Sequence, residues 1–212
     1  MKQRVDPVTC GFLATAASVV NLVFLTIATY PVDPLDIAAL ARLEQGVVPW
    51  LIVSLVADLA FYLLLIPVAI GLGGQRARWA GVGYALIGAA GATILLWQWP
   101  VSLYLAEVER FERVTRVVYF GLWNGVGAAV ACAWWTVVGW LKRRTHRAFA
   151  VFTMGLALLA LLDVVSFRLV SIDVAGWVLR VLLGGLMVWP AAAALGPLRR
   201  RPERPDPRGD EA

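Results

Sequence analysis

Between Val48 and Leu72 the chain reads VPWLIVSLVADLAFYLLLIPVAIGL, and its only charge is Asp58. At a helical rise of about 1.5 Å per residue, such a run crosses a hydrocarbon core about 30 Å thick. Backbone polar groups in hydrocarbon can be satisfied only within a helix or a closed barrel, so the run reads as a membrane-crossing helix. Asp58 lies ten positions in, roughly 15 Å deep at that rise. A lone charge there costs about 2.5–3.5 kcal/mol on insertion scales, so the carboxyl must be neutral, paired or in contact with water. No basic residue lies at its depth in any other run, which makes the neutral form the expectation.

The same test finds five more runs, giving an all-α bundle of six transmembrane helices at about residues 8–30, 48–72, 79–106, 117–141, 148–170 and 174–198. The first is too long for the apolar segment of a signal peptide and reads as an uncleaved span. With 60% hydrophobic residues in 212, the chain has more apolar surface than a soluble core of this size can bury. Residues 199–212, RRPERPDPRGDEA after Arg199, are Pro-rich and charged and are expected to form a disordered tail. The loop after the first run holds Asp33, Asp36, Arg42 and Glu44. Within it, LDIAALARL places Leu35, Ala38, Ala39 and Leu43 at helical spacing, which predicts a short amphipathic helix in the interface or over the bundle. EVERFERVTR predicts a short solvated helix, and Pro100 a break in the third helix or its emergence into the interface.

Six spans place both termini on one side. That side holds Lys2, Arg4, Arg76, Arg78, Lys142, Arg143, Arg144, Arg147, Arg199, Arg200, Arg201, Arg204 and Arg208, against Arg42, Arg110, Arg113 and Arg116 in the opposite loops. The positive-inside rule makes it cytoplasmic, so both ends are expected inside a plasma (inner) membrane. Topology therefore accounts for the net charge of +5 without a nucleic-acid partner. Membrane lipid is the expected surrounding, and a membrane-protein partner or a homo-oligomer stays open. Cys10 and Cys132 lack a CxxC spacing, and His146 is the single histidine, so neither a metal nor a haem cofactor is indicated.

Polar residues inside the spans are the candidate functional positions. Asp58 shares a face with Ser54 and Tyr62 at four-residue spacing. With Asn21, Asn124 and Gln98 it makes up a candidate intramembrane polar site, although Asn21 near Ser18 and Ala14 reads first as an interhelical hydrogen bond. Asp163 and Arg180 are expected to pair across the last hairpin, their levels differing by about 4.5 Å if it turns near Asp173, while Arg168 snorkels to headgroups. Gly121, Gly125 and Ala129 at four-residue intervals predict a helix-packing face, as do Gly88 and Ala92. Pro67, Ala69, Leu72, Gly73 and Arg76 recur at the same offsets as Pro190, Ala192, Leu195, Gly196 and Arg199, the mark a duplicated hairpin would leave.

An acid followed by LAFYLLLIPVAIGL, a short Arg-bearing turn ending at Arg78, and the acidic loop after the first span together resemble a group of uncharacterised bacterial six-span membrane proteins catalogued as a domain of unknown function. The resemblance covers about the first half of the chain. It implies a bacterial plasma membrane and six helices, and it carries over no catalytic residue. From the residues themselves three function classes follow, in this order: a non-enzymatic membrane component or accessory subunit held together by its polar residues, a small transporter or channel with Asp58 as ion- or proton-binding group, and a lipid-acting enzyme. The enzyme reading ranks last because no nucleophile-and-base or carboxylate cluster stands at either interface. Glu107, Glu109 and Glu112 alternate with arginines as a solvated face would.

Overall fold

The computed structural model describes residues 6–33, 36–166 and 176–199, with the backbone alone for 176–179. Every regular element among them is helical. These are α1 (Pro7–Thr29), α2 (Ile37–Leu40), a 3-10 turn (Gln45–Val47), α3 (Val48–Gly71), α4 (Gln75–Tyr104), α5 (Val108–Arg116), a π-helical stretch (Val117–Gly127), α6 (Ala128–Lys142), α7 (Arg147–Val164) and α8 (Gly176–Leu195). Among the described residues, five helices are long and apolar enough to cross a membrane: α1, α3 with its leading turn, α4, the continuous rod Val108–Lys142, and α7. The chain is thus built as a multi-pass membrane protein. The apolar part of α8 described, Arg180–Leu195, is shorter.

The helices pack in a closed ring, α1 on α3, α3 on α4, α4 on the π stretch and α6, α6 on α7, α7 on α8 and α8 back on α1. Local chemistry sets the ends. Asp6 accepts from the backbone N–H groups of Val8 and Thr9, capping α1, whose first residue is Pro7. Gly73 and Gly74 take φ values of 84° and 74° between α3 and α4, a left-handed turn that side chains with a Cβ rarely enter. Leu13, Val19, Val151 and Leu158 are exposed along the outer surface, as lipid-facing residues should be.

The interior forms two clusters. One is centred on Trp134, Trp135, Trp189, Tyr84 and Phe61, the other on Trp99, Leu51, Leu95, Phe111 and Leu40. The ring closes at Pro190, where α1 repairs the broken ladder of α8. A proline has no N–H to give. Next to it, the N–H of Ala191 bonds Thr15 Oγ1 at 3.1 Å, and Met187 O, the helical acceptor for that N–H, receives Ser18 Oγ at 3.3 Å. Gly11 permits this approach, since a Cβ there would lie 2.6 Å from Pro190 O.

Two local expectations are corrected, and a third, open between two alternatives, is narrowed. The break expected as one alternative at Pro100 is absent, since α4 continues through it to Tyr104. The segment EVERFERVTR is helical but joined without a break to the span that follows, with Phe111 and Thr115 buried beneath it. The loop helix is only Ile37–Leu40. Its buried residues are Ile37 and Leu40, so it caps the bundle against α5 rather than lying flat on the stripe through Ala38 and Leu43.

Candidate functional site

A chain of polar side chains crosses the seam between α1 and α3 at mid-depth. Ser54 Oγ donates to Asn21 Oδ1 at 2.5 Å, and Asn21 Nδ2 donates to Asp58 Oδ1 at 3.0 Å. Ser54 and Asp58 are one turn apart on α3, so a single amide from α1 bridges them. The arrangement satisfies both ends of the Asn21 amide. In hydrocarbon this matters, because a polar group left without a partner there has no water to turn to.

Beyond Asp58 the polar line continues through phenols. Tyr62, one turn along α3, meets Tyr84 of α4 edge-on with ring centroids 6.0 Å apart. The Asp58 carboxyl lies within electrostatic range of Tyr62, Tyr84 and Tyr119. Tyr62 fits against α4 because Gly88 has no side chain; a Cβ there would collide with the phenol ring. Trp123, carried by the π stretch, fills the equivalent notch at Gly91, and its Nε1 donates to Gly88 O at 3.3 Å. π turns are rare and tend to mark functional positions. Here Gly127 is part of that geometry, since a Cβ on it would sit 2.8 Å from Leu122 O.

Tyr62, Tyr84, Trp123, Asn124, Trp135 and Asp163 line a cavity of about 80 Å³ inside the ring. That is room for several water molecules and too little for a drug-sized ligand. Asp163 is 5% exposed. Asp58 does not line the cavity, whereas Tyr62 and Tyr84 do. Among the described residues no group of three His, Cys, Asp or Glu side chains is placed to hold a metal ion.

The structure thus gathers Asp58, Asn21 and Tyr62, sets Asn124 on the cavity beside Tyr62, and leaves Gln98 elsewhere. Gln98 Oε1 accepts from Arg110 Nε and Nη2 at 3.2 and 2.8 Å at the end of α4. The expected Asp163–Arg180 pair is replaced, because Arg180 Nη2 binds Asp33 Oδ2 at 2.7 Å in the loop after α1. A guanidinium on a long stem reaches the polar loop more cheaply than a buried partner. Arg168 lies outside the described residues. The stripe of Gly121, Gly125 and Ala129 does not form the packing face expected of it: Ala129 is exposed, and a Cβ on Gly121 would meet only Val117 of its own helix, at 4.0 Å. Four-residue spacing makes a face in an α-helix but not in a π-helix, where the bond runs to the fifth residue. Gly88 and Ala92 do face the interior.

Tyr84, Tyr119, Trp123 and Trp135 were not singled out from the sequence. A tyrosine well inside an apolar run is a weak signal for a buried hydroxyl, and nothing in the sequence marks the π turn that aims Trp123. No family model, curated protein or solved structure matches the chain.

Proposed function

We propose that this chain is a six-span plasma-membrane component, both termini cytoplasmic, that serves as a non-enzymatic accessory or regulatory subunit. Its intramembrane polar residues fasten helices to each other. The observation that carries this reading is the Ser54–Asn21–Asp58 chain: the one mid-membrane acid of α3 is bonded to α1 and stands off the cavity. Its sidedness is supported by the basic turns gathered at one end of the ring.

A double-mutant cycle tests the fastening role. Asn21→Ala and Asp58→Ala should couple by about 0.6 kcal/mol and at most about 1.7, the range of interhelical bonds in membranes. Asp58→Asn keeps the acceptor and should unfold much like the parent. Strictly additive losses would remove the role. Reporter fusions at Gly73 and after Arg199 should read cytoplasmic and one at Glu109 external; the reverse pattern at Glu109 would overturn the topology.

A small transporter is the second reading, favoured by one observation: the cavity walled by Tyr62, Tyr84, Asn124 and Asp163. Proteoliposomes carrying a pH-sensitive dye separate the two readings. Faster collapse of a proton gradient than in empty vesicles, lost in Asp58→Asn, would replace the subunit reading with the transporter one.

A further inference from the structure

The end of the bundle made by the two short turns is cationic, and among the described residues none of its cations is in an ion pair. Arg76 and Arg78 stand on the α3–α4 side, with Lys142, Arg143, Arg144 and Arg147 around the α6–α7 turn. A Cβ on Gly74 would lie 2.9 Å from Leu141 Cδ1, so the two turns are neighbours. The described acid at this end is Asp6, already engaged by the first turn of α1. All three ion pairs among the described residues, Arg110–Glu107, Arg116–Glu112 and Arg180–Asp33, lie at the opposite end. Beyond Arg199 the chain carries four arginines (200, 201, 204, 208) and four acids (203, 206, 210, 211), so it brings no net counter-charge.

Backbone charge adds to side-chain charge here. The helices α4 and α7 both begin at this end, neither has a side-chain cap, and neither has an acid in its first turn. Each instead carries an arginine in its first turn, at position 76 or 147. Their free N–H groups carry the positive end of a helix dipole, so like charges are stacked where an acid would be favoured. One arginine is already set for an anion: Arg143 stacks on Trp140, its Cζ 3.4 Å from the ring centroid, while Nη1 donates to Trp140 O at 2.8 Å. Its remaining N–H groups keep the planar fork that suits a phosphate. Trp140 and Trp79 are 57% and 70% exposed, the amphipathic belt expected at headgroup level.

We propose that the paired turns bind the headgroups of anionic phospholipids, whose phosphates meet the first-turn N–H groups of α4 and α7 and the guanidiniums of Arg76, Arg143 and Arg147. The inference rests on the membrane reading above but not on which face is cytoplasmic, because a nanodisc offers both faces. A failed fusion test or a failed Asp58–Asn21 cycle would therefore leave it standing, and its own failure would leave them standing.

The full chain is placed in nanodiscs of phosphatidylcholine alone or with phosphatidylglycerol mixed in, and its unfolding midpoint and retained lipid are measured by thermal melt and native mass spectrometry. Phosphatidylglycerol should raise the midpoint by several degrees and be retained roughly tenfold over phosphatidylcholine. The combined change Arg76→Gln, Arg143→Gln, Arg144→Gln and Arg147→Gln should lose both effects, whereas Arg113→Gln with Arg116→Gln at the other end should keep them. Should the fourfold variant not fold, salt near 1 M, with a Debye length of about 3 Å, should abolish the preference in the parent. The proposal fails if the two lipids act alike, if the Arg113 and Arg116 variant loses as much, if the preference survives high salt, or if inorganic phosphate in phosphatidylcholine discs raises the midpoint equally, which would identify a free anion as the ligand.

Discussion

The two ends of the ring are anchored by the same device and differ in how they handle charge. At one end Trp99 Nε1 donates to Thr115 Oγ1 at 2.7 Å; at the other Trp189 Nε1 donates to Thr153 Oγ1 at 2.9 Å. Each indole is fully buried and each threonine belongs to the neighbouring helix. Yet around Trp99 the charged groups bind one another, Arg110 to Glu107 and Gln98, Arg116 to Glu112, and Arg180 to Asp33. Around Trp189 the cations are left to the surroundings. The helices are therefore held by apolar packing and a few buried hydrogen bonds at both ends.

The comparison breaks most sharply at the tryptophans. Trp189 touches Trp134, Trp135 and Phe149, with centroids 4.9, 6.4 and 5.7 Å away, whereas Trp99 stacks on Phe111 and tilts against Tyr119. Trp189→Ala should cost about 3–5 kcal/mol in reversible unfolding and exceed Trp99→Ala; equal losses would show that the two clusters are energetically alike. Gly88→Ala comes next. A Cβ against the Tyr62 ring should cost about 1–3 kcal/mol by overpacking, partly recovered in combination with Tyr62→Leu. No recovery would mean that the ring is not what the methyl meets.

Smaller effects probe the uncapped helix starts. His146 precedes α7 and makes no side-chain cap bond. His146→Asp should stabilise the protein by about 0.5–2 kcal/mol in phosphatidylcholine discs. The gain should shrink with phosphatidylglycerol if lipid phosphate already serves these N–H groups, and an equal gain in both lipids would count against that service. The capped start of α1 gives the smallest signal. Hydrogen bonds from the Thr9 side chain, the Thr9 N–H and the Val8 N–H hold the exposed Asp6 carboxyl below its usual range. A depressed folded-state value means that its contribution is present above the unfolded value of about 3.9 and is lost as pH falls through the folded one. Asp6→Asn should flatten the acid limb of the stability profile without changing the neutral plateau's shape; an unchanged limb would show that the cap is not titrating there.

Much of the bundle was legible because lipid leaves few choices. The runs around Asp58, Tyr84 and Leu156 had to be helices, and their lengths had to match a bilayer. Asn21 as a maker of interhelical hydrogen bonds was legible for the same reason. Its partner was not, because which face of α1 meets α3 depends on how Gly11, Thr15 and Ser18 dock against Pro190 on the far side. Gln98 and Arg180 look alike in sequence, polar groups inside apolar runs, but both sit close enough to a helix end to reach partners beyond the spans, Arg110 of α5 and Asp33 of the loop after α1.

Sequence alone therefore determined the helical class, the approximate limits of most spans and the charge asymmetry between the ends, since each follows from the transfer cost of a residue taken by itself. Tertiary structure alone decided which residues meet: Ser54 and Asp58 bridged by one amide, Arg180 on Asp33, and Tyr62 in the notch at Gly88. It also decided the face of the fourth span. The π turn at Val117–Gly127 rotates every later residue relative to a four-residue repeat, and so swings the small-residue stripe off the packing face and Trp123 onto α4. That rotation costs or gains energy only through neighbours on other helices, and no local pattern in the chain records it.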